Sequence, residues 1–292
     1  MYHKTTGYRI FNAANHFFLI VASLICVLPL VHVLAVSFSG KAAATANIVN
    51  LLPVDFTLES YAKTIDNPAF LRSLAYSVFR TVLGTGIGMA ITISAGYALS
   101  KNYVEFKSRN PYMWFFVFTM LFSGGMVPSY ILISNLHLID TIWALVLPGS
   151  LGVYNMILLM NFFRTIPKEL EEAALIDGAG IFKILTHIHL PISLPSLATI
   201  TLFTMVGHWN SWFDGLIYMM DTKKYPLATF LQTVVVQQDF SKISINPADL
   251  ENLSQRTVKS AQIFIGALPI LMVYPFLQKY FVKGIVMGAV KE

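Results

Sequence analysis

Charge and sulfur are what this sequence has least of. Lysine, arginine, aspartate and glutamate make up 12% of its 292 residues, against roughly 25% in an ordinary soluble domain. With 55% of residues hydrophobic, a water-soluble fold of this size would wear a large continuous apolar patch. That excludes an ordinary soluble globule and points to a lipid-embedded chain of one domain built from spans. The single cysteine, Cys26, lies inside an apolar run, so no disulfide framework and no cysteine-based metal site is available. No Gly-x-x-x-x-Gly-Lys-Ser/Thr phosphate loop occurs, which removes ATP hydrolysis by that route. No zinc-type His/Glu cluster occurs either. His187 and His189 stand two apart, which on a helix turns them to different faces; both read as headgroup or loop residues. No Ser, His and Asp are arranged as a triad, so no catalytic residue is assigned. The net charge of +5 is carried mostly in short segments between apolar runs, a sign of membrane topology and not of nucleic-acid binding.

What is present is six apolar runs. The first, Ala14 to Phe38, carries His32 as its only potentially charged side chain. At 1.5 Å per residue it reaches roughly 37 Å, enough to span with some tilt. Lys4 and Arg9 before it and Ala42, Ala43 and Ala44 after it invite a signal-peptide reading, but such cores are shorter, about 7–15 residues. The second run, about Leu71 to Ser100, carries Gly84, Gly88, Thr92 and Gly96 four apart, a small-residue stripe that allows close helix approach. The third, Met113 to Ile133, is interrupted by Ser123-Gly124-Gly125 and Pro128. Such breakers suit a kink that faces protein or a water-filled path, because lipid cannot satisfy the freed backbone groups. The fourth, Ile142 to Phe163, contains Pro148-Gly149; the fifth reaches from Leu190 to about Trp212; the sixth is Ala261 to Phe281. Leu227 to Val236 is too short to span and reads as an interfacial or buried helix.

Six spans put both termini on one side. The segments 1–13, 100–110, 164–189 and 282–292 hold ten Lys and Arg in 61 residues; the opposite segments 39–70, 134–141 and 213–260 hold seven in 88. The positive-inside rule then places both termini in the cytoplasm. The expected organisation is a cytoplasmic tail over 1–13 and a transmembrane domain over 14–292, with its core at about 70–282, a polar cytoplasmic loop at 164–189 and a cytoplasmic tail at 283–292.

The polar loop is the most specific stretch. Pro167 suits the first turn of a helix, and Glu169, Glu171 and Glu172 follow where the helix dipole favours anions. Leu170, Ala173 and Ala174 give a short apolar face, and Asp177-Gly178 signals a turn that Asp177 can hold through its own backbone. A second short helix follows, with Ile181, Ile184, Leu185 and Ile188 at helical spacing, and Pro191 marks entry to the next span. Neither helix is long enough to be stable alone, so each needs a partner surface; headgroups of the bilayer are the plainest candidate.

Glu172-Ala173-Ala174, three residues, Gly178, nine residues, Ile188, one residue and Leu190-Pro191 resemble, without a gap, the signature loop of permease subunits in binding-protein-dependent ABC importers. The resemblance covers nearly the whole chain. Asn67, Phe70 and Ser73 look like the opening of the permease core, Gly96-Tyr97-Ala98-Leu99 like the close of its span, and His208-Trp209-Asn210-Ser211-Trp212-Phe213 like the fifth-span region of the carbohydrate branch. The tail from Lys279 to Lys291 is similar to that of the shorter permease of maltose-type importers, although Val286-Met287 stands where small residues are usual.

The resemblance implies an all-α, polytopic type I importer permease of six transmembrane helices in the bacterial cytoplasmic membrane, forming half of the pathway for an oligosaccharide. Its implied partners are a second, longer permease, two ATPase subunits and an extracytoplasmic solute-binding protein, with ATP and magnesium bound by the ATPases and no cofactor in this chain. It implies that Glu171, Glu172, Ala173, Ala174, Asp177, Gly178, Ile188, Leu190 and Pro191 couple the chain to an ATPase. It also implies that the tail glycines Gly284 and Gly288 contact the ATPases. Arg80, Gly124, Gly125, His208, Trp209, Asn210, Trp212 and Phe213 are candidates for the solute path. Trp and Phe at a span end are also ordinary interface anchors, and an arginine placed as Arg80 is more often a snorkelling or paired residue than a ligand. The rival reading, an ion-coupled secondary transporter or channel subunit, expects intramembrane acids and bases as coupling sites; the runs offer few.

Overall fold

The computed structural model describes residues 5–235 and 256–289, with side chains to Phe276. Among the described residues every regular element is helical. The chain forms two compact units: Met1–Leu71 with Leu231–Leu268, and Arg72–Phe230 with Pro269–Glu292.

The first unit opens with α1, Thr6–Ser37, whose N-terminal turn is capped by the Thr5 hydroxyl accepting from the Tyr8 amide at 3.4 Å. The helix starts before the apolar run does, so the expected tail is helical from Thr6. Most of α1 is exposed, including Phe17 and Phe18, the pattern of a lipid-facing span. Only its C-terminal end is covered. There Ala35 and Val36 pack with Ala43, Ala44 and Val49 around α2, Lys41–Thr45. The Ser37 hydroxyl lies 2.7 Å from the Tyr61 hydroxyl on α3, Glu59–Ile65. Arg256 donates to the Ala44 carbonyl and to Asn47 Oδ1, at 3.2 and 2.9 Å.

Helix α4, Pro68–Ser100, begins in the first unit, where the Ala69 and Phe70 amides donate to Asn67 Oδ1, and from Arg72 onward belongs to the second. The small-residue stripe seats its neighbours. A Cβ on Gly84 would meet the His208 ring at 2.5 Å, one on Gly88 the Ser150 carbonyl at 2.9 Å, and one on Gly96 the Met156 carbonyl at 3.5 Å. Gly86 faces open space. Gly88→Val is therefore expected to destabilise the detergent-solubilised chain by about 1–3 kcal/mol through overpacking against backbone that cannot yield. Gly86→Val should melt close to wild type; equal melting of the two variants would refute the packing role.

The third run is two helices, α5 (Arg109–Leu121) and α6 (Met126–Asn135), bent by 115°. Gly125 makes the bend at φ +88, a conformation that glycine adopts at little cost. The freed groups are met locally: the Gly125 amide donates to Ser123 Oγ at 3.2 Å, and Ser129 Oγ donates to the Gly125 carbonyl at 2.7 Å. The fourth run is also broken, into α7 (Ile142–Val146) and α8 (Val153–Phe163), with Pro148 and Gly149 in the gap.

Next come α9 (Lys168–Ile176) and α10 (Ile181–Ile184), a π-turn over Leu185–His189, and α11 (Leu190–Ile192). The chain turns by 85° into α12, Leu194–Asn210, which packs on α8. Two short helices, α13 (Phe213–Tyr218) and α14 (Leu227–Val235), follow, and Leu227 is buried as the short-helix reading expects. The last helix, α15, runs Arg256–Ala289.

Three helices are long and apolar enough to cross a membrane, five if each bent pair is one span, and α8 is a further, shorter apolar helix. All six apolar runs are therefore helical. The C-terminal boundary differs from the expectation as well. The chain is expected to leave its last span for a tail at 283, but the helix continues to Ala289, through Gly284 and Gly288; residues 290–292 lie outside the described residues. So do 1–4 of the N-terminal tail and 236–255 of the segment 213–260.

Candidate functional site

The loop is built as two helices with a tight corner. Pro167 caps α9 from extended backbone instead of entering its first turn, and Glu169 and Glu171 lie in that turn. The corner is a Schellman motif: the Ala179 amide donates to Ala174 O at 2.9 Å, the Gly178 amide to Leu175 O at 3.0 Å, and Gly178 takes φ +75. Backbone bonds close this turn; among the described residues the Asp177 carboxylate accepts no hydrogen bond that contributes to it, contrary to the role expected for it. Nothing lies within 4 Å of a Cβ on Gly178, so glycine is required there by conformation and not by space.

The loop divides its apolar residues. Ile184 and Leu185 are buried, and Leu185 joins a core of Tyr97, Leu159, Phe163, Ile166 and Ile200. Leu170, Leu175, Ile181, Ile176 at 87% and Phe182 at 78% are exposed. Glu172, Ala173, Asp177, Gly178 and Pro191 are exposed with them, whereas Glu171, Ala174, Ile188 and Leu190 are half-buried. The sequence reading placed Ile181 with Ile184 and Leu185 and passed over Ile176 and Phe182; spacing alone does not separate a residue that anchors a short helix from one that the helix presents.

Beneath the loop is a charged joint. Glu171 pairs with Lys101, just past the end of α4, and the Lys101 ammonium stands 4.2 Å from the centroid of the Tyr97 ring. Burial lowers the Lys101 pKa, but its bonds to Glu171 and Tyr97 outweigh that and hold it above the ordinary lysine value. His189 is not a headgroup residue. It is 4% exposed, edge-on to Tyr97 at 4.9 Å and to Phe163 at 5.4 Å. Its Nε2 lies 3.6 Å from Glu171 Oε2, beyond hydrogen-bond reach. His187 is exposed, its Nδ1 2.8 Å from Thr186 Oγ1. The two imidazoles do take different faces. A cavity of about 290 Å³ opens beside Lys101, Glu171 and His189.

A second polar cluster lies along α4. Arg80, 1% exposed, pairs with Asp214 and donates to the carbonyls of Ser211 at 2.9 Å and Leu145 at 3.4 Å. Asp214 is also held by Ser211 Oγ at 2.9 Å and the Gly215 amide at 2.8 Å. A guanidinium within a span is costly unless so satisfied. Beside the pair is a cavity of about 230 Å³ reached by Thr92, Asn155, His208 and Tyr218. The remaining path candidates are scattered. Trp209 is buried against an apolar pocket with Val78, Leu202 and Pro269. Trp212 and Phe213 meet edge to face at 5.5 Å and are partly exposed, and Asn210, Gly124 and Gly125 are exposed. Arg80 and His208 are thus brought together, as are Trp212 and Phe213.

One further brace carried no sequence signal. Asp140, at φ +62, accepts from the amides of Met220 and Asp221 at 3.2 Å and pairs with Lys224. The Lys224 ammonium holds its carboxyl below the ordinary aspartate value, against a smaller opposing effect of burial. Among the described residues no group of three metal-ligating side chains occurs.

Residues 88–287 match the family described as the binding-protein-dependent transport system inner membrane component. Protein LplC of Bacillus subtilis (strain 168) is 40% identical over 99% of this chain and 97% of its own length. The polygalacturonan/rhamnogalacturonan transport system permease protein YtcP of the same organism is 39% identical over 97% of this chain and 99% of its own. Among solved structures, a chain of a bacterial ABC transporter involved in the import of the acidic polysaccharide alginate superposes with a TM-score of 0.85 at 31% identity, covering 95% of this chain and 98% of that one.

Proposed function

On the premise that the chain belongs to the family of binding-protein-dependent transport system inner membrane components, we propose how this permease is driven and what it carries. It is a multi-pass membrane subunit of an ABC importer and not itself an enzyme. The proposed solute is an oligosaccharide, which the names of a 39%-identical relative and of a 31%-identical structure support. The chain forms one half of the pathway and a longer permease the other. Two ATPases bind ATP and magnesium, and a solute-binding protein delivers the solute from outside.

The observation that carries the drive is the loop: two helices too short to stand alone present Leu175, Ile176, Ile181 and Phe182 to solvent around a glycine-locked corner. In this reading Glu172, Ala173, Ala174 and Gly178 seat in an ATPase groove. Glu171, Ile188, Leu190 and Pro191 fix the loop to the spans, and the helix through Gly284 and Gly288 meets the same subunits. The stretch beside the Arg80–Asp214 pair and His208 is the proposed share of the solute path. The test is purification of the tagged chain from its native membrane: a second permease, an ATPase and a binding protein should accompany it. The complex should take up acidic oligosaccharides only with ATP. A chain that purifies alone and transports without ATP would favour the secondary-transporter reading.

In the same reading both termini and the loop face the cytoplasm. With Cys26 replaced by serine, single cysteines at Ser108 and Lys168 should resist an impermeant thiol reagent added to intact cells, and one at His137 should react. Labelling of Lys168→Cys from outside would overturn the orientation.

A further inference from the structure

Apart from Glu171, the cavity beside the loop joint has a lining that neither docking nor the solute path uses. Four cations, Lys101, Arg109, Arg164 and Lys168, face it against two carboxylates, Glu105 and Glu171. Glu171 is committed to Lys101, and Glu105 accepts from Asn102 at 3.2 Å. Among the described residues, Arg109, Arg164 and Lys168 pair with no carboxylate. The two guanidiniums are fixed by one acceptor: Arg109 Nε and an Arg164 terminal nitrogen both donate to the Leu99 carbonyl at the end of α4, at 2.9 and 3.2 Å. A guanidinium has five N–H donors, so each is held in place with most of its donors unspent.

An independent observation comes from His189. It lines the same cavity, is 4% exposed, and neither of its ring nitrogens has a hydrogen-bond partner. A buried imidazole left so is costly unless a ligand completes it. Two fixed guanidiniums, an ammonium and an imidazole that makes no hydrogen bond, its nearest carboxylate oxygen being Glu171 Oε2 at 3.6 Å, surround about 290 Å³ and are the donor set for an acceptor-rich anion; arginine forks match tetrahedral oxyanions in particular.

We propose that this cavity is a phosphate-binding site, formed where α4 and α8 end and the loop begins. An anionic phospholipid headgroup and a free phosphate share that chemistry. The lipid has the stronger claim, because the cavity lies at the end of a span and the turn that supplies Lys101 and Glu105 also carries Tyr103 and Val104 exposed, at 60% and 85%. The site stands whatever docks on the loop.

The full chain, purified in an uncharged detergent, can be titrated with phosphatidylglycerol, with a glucosyl diacylglycerol of the same acyl chains, and with inorganic phosphate. Binding is read by native mass spectrometry and by thermal shift. Phosphatidylglycerol should be held in preference to the glycolipid, and Arg109→Gln/Arg164→Gln should weaken it roughly tenfold or more. Lys168→Gln, exposed and harmless to folding, should weaken it by a smaller factor, and Lys183→Gln should leave it unchanged. If inorganic phosphate instead stabilises the wild type with the same variant dependence, and the two lipids bind alike, the site is confirmed with a soluble ligand. If neither phosphate source is held better than the glycolipid, or if the double and Lys168 variants bind as wild type does, the proposal is wrong.

Discussion

Gly178→Val is expected to remove most solute uptake from vesicles containing the assembled importer while the chain remains folded in the membrane. The corner residue sits at φ +75, where an L side chain costs about 1–2 kcal/mol and a β-branched one more. Because the space around a Cβ is open, the loss comes from backbone conformation alone. The control follows from the same argument: Gly178→Asn, which tolerates the left-handed region, should keep much of the transport. Ala173→Trp should act differently. Ala173 is exposed, so the free chain accommodates the indole, and an overpacking cost of about 1–3 kcal/mol appears only in the docked complex. Recovery of ATPase on the tagged chain should fall, or hydrolysis should continue without uptake. If Gly178→Val and Ala173→Trp both transport at the wild-type rate with full ATPase recovery, the loop is not the coupling element and lies on lipid headgroups instead.

Arg80→Leu should produce the largest loss of stability. The substitution strands Asp214 and takes donors from the carbonyls of Ser211 and Leu145. Removing one partner of a buried ion pair costs about 3–5 kcal/mol, which thermal unfolding in detergent should register. Asp214→Asn should be milder, because an amide oxygen can still accept from the guanidinium. The double variant Arg80→Leu/Asp214→Leu should recover part of the loss, since no unpaired charge is then left behind. Additive losses in the double variant would show that the two residues act separately, and near-neutral Arg80→Leu would show that the pair is not structural.

The two cases differ in how far the sequence could carry them. Gly178 was legible: Asp-Gly after a short apolar face is a local turn signal, and the left-handed corner is a local consequence. The Gly84, Gly88 and Gly96 stripe was legible for the same reason, because a repeat of four selects one helix face and small residues there need a close neighbour. The neighbour's identity was not, since His208 and Ser150 are brought to the stripe by folding. Arg80 was weighed alone because Asp214 is 134 positions away, and Lys101 stood 70 positions from Glu171. Ion pairs between distant elements leave no periodic trace. His189 was misread for a related reason: two histidines in a polar loop look solvated until Tyr97 and Phe163 from other helices close over one of them.

The π-turn at Leu185–His189 has a consequence for the angular setting of the loop. A π-turn spends one residue more per turn than an α-helix does, and each helical residue advances by about 100°. The bearing of Ile181 and Phe182 about the helix axis, measured from Leu190 onward, is therefore fixed by one residue's worth of backbone. Winding the same residues as an ordinary α-helix would swing the exposed pair by about 100° with every side chain retained, whereas deleting Thr186 would remove the extra residue and leave the bearing close to its present value. Chains that dock through this element must agree in residue count and winding taken together, because the two jointly set the azimuth of the surface they present.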